Sequence, residues 1–344
     1  MLKSEIEWYY YIIKNLVKRE WGWKIVEELN KKGITCLKYS YEDINSVAGK
    51  KVLSIQDTNQ LISNKIREGA PFMAGRFGGT ELNTIVSVLR AKKFPHIDNR
   101  TYYLEKMYTG AGFFPKDLKL EEKFVHLMLD CCKDIDLCGA WKLFMEDYII
   151  KNYAPQTQIT KLHWLEPWNL RLEKTKETLP WTYALSGKKV LVVHPFEKSI
   201  LKQYKENRKH IFDKIYSSEE ILPEFDLKIV KAVQSIGGNN TGGFNTWFDA
   251  LEYLKEQCMV QDFDVAIIGC GAYGFPLASA IKRMGKPVIH LGGATQLMFG
   301  ITGKRWIEGD YHNFSNDVVN EYWTRPLEEE TPAGAKNVEG GCYW

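Results

Sequence analysis

The stretch DVAIIGCGAYGFPLASAIKRMGKPVIHLGG, residues 264–293, decides the fold. An apolar run at Val265–Gly269 predicts a buried strand, and Pro287–Leu291 predicts a second one. Between them, Ala272–Met284 has the spacing of a helix. The order of strand, glycine turn, helix and strand predicts a βαβ unit with two parallel strands.

The turn after the first of these strands carries Gly269, Gly271 and Gly274, which match G-x-G-x-x-G. Such glycines allow a tight turn and the close approach of an anion to N–H groups at a helix N-terminus. A nicotinamide dinucleotide would require an acidic residue at the end of the next strand, where His290 and Leu291 stand. The turn therefore indicates a phosphate or diphosphate site, with close helix–strand packing as the alternative, and it disfavours a dehydrogenase.

The same alternation of apolar runs and helix-period stretches continues outward from this unit. The further expected strands are Lys51–Ile55, Phe72–Gly75, Ile135–Ala140, Lys161–Leu165, Lys189–His194 and Leu227–Val233. The further expected helices are Thr58–Arg67, Thr80–Ala91, Glu121–Lys133, Glu197–Tyr216 and Thr246–Gln257. This pattern predicts an α/β fold with a Rossmann-like, doubly wound, mostly parallel sheet.

The chain divides into three expected parts. Residues 1–48 form an aromatic N-terminal helical segment, 49–310 the Rossmann-like domain, and 311–344 an extended tail across the surface. An irregular, aromatic insertion lies at about 107–180. The N-terminal segment packs on the body of the protein in the simplest interpretation, and a homodimer contact or a peripheral membrane contact are the alternatives. Its aromatic residues include Trp8, Tyr9, Tyr10, Tyr11, Trp21 and Trp23.

Composition excludes several classes of protein. With 344 residues, 44% of them hydrophobic and 13% aromatic, the chain is not disordered as a whole. Lys and Arg total 46 against 43 Asp and Glu, a balance that excludes a dedicated nucleic-acid surface. Seven cysteines without a C-x-x-C pair do not form a disulfide framework or a zinc ribbon. No apolar run is long enough to span a membrane and no signal peptide is evident, so we expect a cytoplasmic protein.

A second glycine turn lies at GAPFMAGRFGGTELNTIV, residues 69–86. The strand ends at Gly75, and Thr80 is placed to cap a helix. Arg76 offers a fork of donors suited to a phosphate or a carboxylate. Glu81 is a metal ligand, a general base or a favourable charge near the helix N-terminus.

Other stretches add weaker candidates. A glycine cluster at residues 234–254 follows a strand, and a ligand loop and a mobile connection are equally compatible with it. His194 ends a strand, where it could contact phosphate, act as a base or serve a structural role. Lys198 and Lys202 follow it, and Arg208 reads as part of a solvated helix face. The tryptophans that could stack on sugar rings are Trp141, Trp164, Trp168 and Trp181.

The early and late glycine turns together resemble the GT-D-type glycosyltransferases, bacterial enzymes that add sugars to cell-surface glycans and glycoproteins. That family has a strand running into an R-F-G-D-G-E-like stretch and a later strand–glycine loop–helix. Here they correspond to RFGGTE, residues 76–81, and IIGCGA, residues 267–272. The resemblance covers about residues 55–310 in layout and these two stretches in detail.

The resemblance implies a nucleotide-sugar donor and a metal, Mg²⁺ or Mn²⁺, near an Asp-x-Glu motif. This chain has Glu81 but carries Gly79 where the aspartate would stand. One carboxylate is a poor site for either metal. A weakly held metal, a changed activity and a cationic substitute from Arg76, Lys304 or Arg305 all remain open.

We therefore expect a glycosyltransferase, hexosyltransferase-like, acting in bacterial surface polysaccharide, capsule or glycoprotein assembly on a glycan or lipid-linked glycan. Glu81, Arg76 and His194 are its expected catalytic residues. The expected donor-binding residues are Gly78, Gly79, Gly269, Gly271, Ala272, Tyr273, Gly274, His290, Gly292, Gly293, Gln296, Lys304 and Arg305. The alternatives are another group transferase of surface-glycan synthesis, such as a pyruvyl transferase, and a non-catalytic nucleotide- or partner-binding protein of the same pathway.

Overall fold

The computed structural model describes residues 6–12, 45–96, 98–173, 177–215, 217–236, 241–308 and 312–344. A small antiparallel hairpin pairs β1 (Ser46–Val47) with β2 (Lys50–Lys51). The other strands form one seven-stranded sheet of order β5-β4-β3-β9-β8-β6-β7, in which every pair is parallel. They are β3 (Phe72–Gly75), β4 (Leu137–Ala140), β5 (Gln158–Lys161), β6 (Lys189–His194), β7 (Asp226–Lys231), β8 (Val265–Ile268) and β9 (Pro287–His290).

Helices cover both faces of the sheet. Those described are α1 (6–12), α2 (Ile55–Glu68), α3 (Gly79–Lys93), α4 (Arg100–Ala111), α5 (Leu118–Cys131), α6 (Glu146–Tyr153), α7 (Asn169–Leu172), α8 (Glu197–Asn207), α9 (Ser218–Ile221), α10 (Trp247–Met259), α11 (Gly274–Arg283), α12 (Lys304–Glu308) and α13 (His312–Asp317). Short 3₁₀ segments occupy Leu162–Leu165, Trp181–Leu185, Gly271–Tyr273, Gly292–Phe299, Glu328–Glu330 and Ala335–Asn337.

Two hydrophobic cores lie on opposite faces of the sheet. In β6, Leu191 and Val193 face the core that contains helices α3, α5, α10 and α11, whereas Val190 and Val192 face the core that contains α2 and α8. All four side chains are fully buried. A strand that is apolar on both faces is the feature from which a doubly wound sheet was expected, and the structure confirms that fold.

The topology places the turns that carry the candidate site residues near the centre of the sheet. Strands β4 and β5 lie on one side of β3, while β8, β6 and β7 lie beyond its other neighbour, β9. Because all strands are parallel, their carboxyl ends share one edge. The turns after β3, β9, β8 and β6 therefore converge at the place where open α/β sheets bind ligands.

Several expected elements differ from those observed. The apolar run 161–165 is mostly a 3₁₀ turn, because β5 lies three residues earlier and ends at Lys161. The expected strand at Lys51–Ile55 has only Lys51 in a named strand, and α2 begins at Ile55. Helix α8 ends at Asn207, and the following Arg208 is buried with its guanidinium donating to the Leu222 carbonyl at 3.2 Å. Its expected place on a solvated face is therefore wrong.

Part of the aromatic N-terminal segment is described. In α1, Trp8 is fully buried and meets Tyr148 edge-on with a centroid distance of 4.8 Å. The Lys151 ammonium pairs with Glu7 at 2.6 Å. Residues 6–12 therefore pack on the body of the protein, while Trp21 and Trp23 lie outside the described residues, as do 237–240 of the glycine cluster.

The C-terminal stretch runs over the carboxyl edge of the sheet. Glu330 is buried there, and its carboxylate accepts hydrogen bonds from the backbone N–H groups of Lys198 at 2.7 Å and Ser199 at 3.1 Å. It therefore occupies the N-terminus of α8, where a bound anion would otherwise be favoured. None of the helices in the described part of the chain has the length and apolar character needed to cross a bilayer.

Candidate functional site

A cavity of about 500 Å³ opens at the carboxyl edge of the central strands. Its walls come from the turns after β3, β8, β9 and β6, from α4, and from the C-terminal stretch. The early arginine–glutamate turn and the late glycine turn therefore meet in one pocket. The expected site residues that line it are Arg76, Gly78, Gly79, Glu81, His194, Gly269, Gly271, Ala272, His290, Gly292, Gly293, Gln296 and Arg305.

Arg76 lies at the centre of this pocket. Its guanidinium stacks over the Trp141 ring at 5.6 Å and packs against Gly292, where a Cβ would collide with it. Gly292 also has a φ of +60°, which disfavours any other residue. The positive charge of Arg76 lowers the pKa values of Glu81 and of several other titratable groups in the pocket. One guanidinium nitrogen of Arg76 donates to the Phe77 carbonyl at 3.3 Å, and Arg76 is thus the electrostatic centre of the cavity.

Glu81 lies in the first turn of α3 and folds back over Gly78, where a Cβ would overlap its carboxylate. Loss of water raises the pKa of Glu81, while a backbone hydrogen bond and the charge of Arg76 partly oppose the rise. The helix N-terminus favours the charged carboxylate. The glycine at position 78 therefore serves to bring this carboxylate into the wall of the pocket.

Gly79 differs from the other glycines of the pocket. A Cβ there would meet only Leu143 at 3.6 Å and Trp141 at 3.8 Å, both ordinary contacts. No positive φ requires glycine at this position. The backbone would accept an aspartate at this position, so the fold does not require glycine there.

The late glycine turn contributes backbone rather than side chains. Gly269, Gly271 and Ala272 line the pocket. Tyr273 lies outside it, stacked on Trp247 with a centroid distance of 5.0 Å, and its hydroxyl lies 3.0 Å from that of Ser235. Tyr273 therefore anchors the glycine turn to the core on the side away from the pocket, which is a packing role.

Gly274 also lies outside the pocket wall, and glycine is required at this position for a steric reason. A Cβ at this position would collide with the His290 ring. We expect Gly274→Ala to lower the free energy of unfolding by about 1–3 kcal/mol, the usual cost of overpacking a filled core. Thermal or urea unfolding measures the change. Gly110→Ala is the matched control, because nothing lies within 4 Å of that position in α4; equal losses in both variants would contradict the steric explanation.

The two histidines of the pocket are neutral. Burial lowers the pKa of His194 to about 3, and burial together with Arg76 lowers that of His290 to about 3. His194 Nδ1 accepts the Phe196 N–H at 3.1 Å, which leaves the proton on Nε2. Such a group is a weak proton acceptor at neutral pH, so the geometry favours His194 as a hydrogen-bond donor over His194 as a base.

Two of the expected donor-binding side chains, Gln296 and Arg305, contact the C-terminal stretch. The Gln296 amide donates to the carbonyls of Ile301 at 3.2 Å and Tyr343 at 3.1 Å. Arg305 pairs with Glu339 and donates to the Tyr343 hydroxyl at 3.2 Å. Both side chains therefore fix Tyr343, which packs on Gly293, at the pocket wall.

Lys304 is the third expected residue outside the pocket wall. Its side chain is half exposed and pairs with Glu308 at 3.6 Å along α12. Of the tryptophans considered for sugar stacking, Trp141 lines the pocket, whereas Trp168 and Trp181 are buried in the core. Trp164 lies outside the pocket wall, next to Lys161.

Glu166 is a pocket residue that the sequence pattern did not single out. It follows the 3₁₀ turn after β5 and lines the same cavity as Glu81. Burial raises its pKa to about 7, although hydrogen bonds from Asn169 and Trp168 and the charge of Arg76 oppose the rise. Its only signal in the sequence was an acidic residue inside an irregular, aromatic region.

A divalent metal fits this set of side chains poorly. Among the described residues, no group of three His, Cys, Asp or Glu side chains could hold one. The side-chain carboxylates that line the pocket are those of Glu81, Glu166 and Glu339. The guanidinium of Arg76 acts on the first two, and Glu339 pairs with Arg305. A cation would have to take its remaining ligands from substrate and water.

Comparisons with known proteins give two similar solved structures. No family model and no curated protein sequence matches the chain. One structure is described as the highly conserved domain of unknown function 1792, with a distinct glycosyltransferase fold; it is 13% identical, with a TM-score of 0.43, over 82% of this chain and 93% of that one. A selenomethionine-substituted structure of domain of unknown function 1792 is 12% identical, with a TM-score of 0.42, over 85% and 96% of the two chains.

Proposed function

We propose that this protein is a glycosyltransferase that moves a sugar from a nucleoside-diphosphate sugar to an acceptor. The observation that carries the proposal is the pocket that is lined at once by Arg76, by Gly269, Gly271 and Ala272 of the late glycine turn, and by the carboxylates of Glu81 and Glu166. A cationic fork beside backbone N–H groups suits a diphosphate, and carboxylates suit a sugar.

The chemistry divides the pocket into regions. When the bond between the anomeric carbon and the diphosphate breaks, its electron pair stays on the diphosphate, so positive groups must face that oxygen. Arg76 is placed for this, and Lys106 and Arg305 also line the cavity. The sugar carbon gains positive charge in the same step, which a nearby carboxylate stabilises. Glu81, in the first turn of α3 and close enough to Arg76 to feel its charge, is the carboxylate placed for this role.

Trp141 provides the surface for the sugar ring. Its indole N–H donates to the Phe77 carbonyl at 3.0 Å, and its backbone N–H donates to the buried Glu146 carboxylate at 3.2 Å. These contacts fix an aromatic face at the pocket wall next to Arg76. Fixed aromatic faces pack well against the apolar face of a sugar.

The pathway and location form the finer part of the proposal. We propose an acceptor that is a glycan or lipid-linked glycan of bacterial surface polysaccharide or glycoprotein assembly, and a cytoplasmic enzyme. The resemblance of residues 76–81 and 267–272 to GT-D-type enzymes supports this assignment. The described side chains do not form a metal site by themselves, so a divalent cation would need ligands from the diphosphate and from water.

Titration with UDP or GDP tests nucleotide binding. A ligand at 100 times its Kd stabilises the folded state by about 2.7 kcal/mol, so we expect a rise in Tm of about 4 °C for a chain of this size. Uridine and guanosine, which lack the diphosphate, are the controls and should give smaller shifts. An unchanged Tm at millimolar UDP and GDP would contradict the proposal.

Mass analysis of products separates the remaining possibilities. Incubation with a panel of nucleotide sugars should release nucleoside diphosphate and a free or transferred hexose. Binding without any turnover would instead favour a non-catalytic nucleotide-binding protein. A product heavier by a pyruvyl group, formed from phosphoenolpyruvate, would favour the pyruvyl transferase.

A further inference from the structure

Glu166 brings a further carboxylate into the pocket from the segment that follows the edge strand of the sheet. It belongs to the segment after β5, whereas Glu81 belongs to the helix after β3. We propose that Glu166 is the proton acceptor of the reaction, taking the proton from the acceptor hydroxyl as the sugar is transferred. This assignment rests on the proposed function and deepens it.

The surroundings of Glu166 fix its position. The Asn169 amide donates to Glu166 Oε2 at 2.8 Å and to the His163 carbonyl at 2.7 Å. Both N–H bonds of this amide are therefore used, and the amide is held by the backbone of the same turn. Trp168, which is fully buried, also hydrogen-bonds to the carboxylate. A carboxylate held by two anchored donors needs no rearrangement to meet an acceptor hydroxyl.

The two carboxylates differ in the groups that hold them. Glu81 lies in the first turn of α3, where burial raises its pKa and a backbone hydrogen bond and the charge of Arg76 partly oppose the rise. Glu166 receives hydrogen bonds from the neutral side chains of Asn169 and Trp168. Burial raises the pKa of Glu166 to about 7, which suits a base at neutral pH.

The proposed step balances without another reactant. The oxygen of the acceptor hydroxyl forms a bond to the anomeric carbon, and its proton moves to a carboxylate oxygen of Glu166. The bond from the anomeric carbon to the diphosphate breaks, and its electron pair stays on the diphosphate beside Arg76. Glu166 later returns the proton to water, and no oxidation or reduction takes place.

Charged and titratable groups around Glu166 set the expected pH dependence. Arg76 from the β3 turn lowers the pKa of Glu166. Lys161 and His163 precede it on its own segment, and Glu81 lines the same cavity. Because Glu166 must be deprotonated to act, the rate should rise with pH to a plateau above about 7.

The first test is Glu166→Gln, assayed as release of nucleoside diphosphate from UDP-glucose, UDP-N-acetylglucosamine and GDP-mannose, with water as the acceptor. We expect a rate about 10²-fold lower, the usual contribution of a general base. The Tm rise with UDP or GDP should be unchanged, because Glu166 does not hold the nucleotide. Glu173→Gln is the matched control, since Glu173 is exposed and outside the pocket.

The second test uses the pH profile, which a purely structural role would not move. Asn169→Ala removes a hydrogen bond that lowers the pKa of Glu166. The acid limb of the rate profile should therefore move to higher pH, by about one unit. Glu166→Asp keeps a carboxylate and should recover part of the rate that Glu166→Gln loses.

Each outcome decides between the two levels of the proposal. A wild-type rate in Glu166→Gln, or an unmoved acid limb in Asn169→Ala, would overturn the assignment of Glu166 while leaving glycosyl transfer intact. If Glu166→Gln does not fold, the position of the acid limb in the pH–rate profile of Asn169→Ala alone tests the assignment. A wild-type protein that neither binds UDP or GDP nor hydrolyses any of the three donors overturns the proposed function and this assignment together.

Discussion

Arg76→Met is expected to lower kcat/KM for nucleotide-sugar turnover by about 10³-fold, at the upper end of what one oriented electrostatic group supplies. Methionine keeps the apolar length of the side chain but removes the fork that Trp141 and Gly292 hold in place. The Tm rise with UDP or GDP should fall in the same variant. Steady-state kinetics and thermal unfolding measure both effects.

Arg76→Met should also change the pH profile. Arg76 lowers the pKa values of Glu81 and Glu166, so its removal raises both and moves the acid limb to higher pH. Arg67→Met, on the exposed side of α2, is the matched control and should leave rate and pH profile unchanged. Arg76→Lys keeps the positive charge without the fork of donors, so its kcat/KM should lie between those of the wild type and Arg76→Met. Wild-type turnover in Arg76→Met would remove this residue from the mechanism.

Glu81→Gln is expected to lower kcat by about 10³-fold, because the neutral amide no longer stabilises positive charge at the anomeric carbon. Glutamine has nearly the same shape, so the fold over Gly78 can persist. Nucleotide binding should remain, which separates this variant from Arg76→Met. Rapid-quench or steady-state assays with the donors named above measure the loss.

Stability should respond to Glu81→Gln in the opposite direction from activity. Burial raises the pKa of Glu81, so the charged carboxylate is less favourable in the folded state than in the unfolded one. At neutral pH its replacement should leave Tm unchanged or slightly higher. Glu68→Gln, at the exposed end of α2, controls for the loss of a negative charge. A large drop in Tm would show that Glu81 is structural, and the kinetic loss would then not report on chemistry.

The central part of the fold could be predicted because its residues carry redundant signals. The strand Lys189–His194 is observed with the expected bounds, since it is apolar on both faces and flanked by polar residues. Helix α4 was not predicted because it buries only Leu104, Met107 and Ala111 and has no apolar stripe to detect. The run 161–165 was assigned to a strand because a short apolar run does not separate a strand from a buried turn.

Part of the site could be predicted from glycine turns and from strand ends. Arg76 and the Gly269–Ala272 turn were identified from glycine turns that follow strands, and His194 from its position at the end of a strand. Glu166 was not identified, since its approach to Arg76 depends on the order β5-β4-β3 across the sheet. Tyr343 reaches Gly293 from an aperiodic stretch, and no local pattern encodes that contact. Contacts set by topology rather than by local sequence therefore account for what was missed.

The pairing of β3 with β9 has a consequence for synthesis of the protein. Phe72 pairs with Pro287, so about two hundred residues of chain separate neighbours at the middle of the sheet. On a ribosome that adds about 5–20 residues per second, one edge of β3 stays without its partner for about 10–40 s. During that time an apolar strand is open to wrong pairing. Production of the intact protein should therefore gain from chaperones and from slow growth at low temperature.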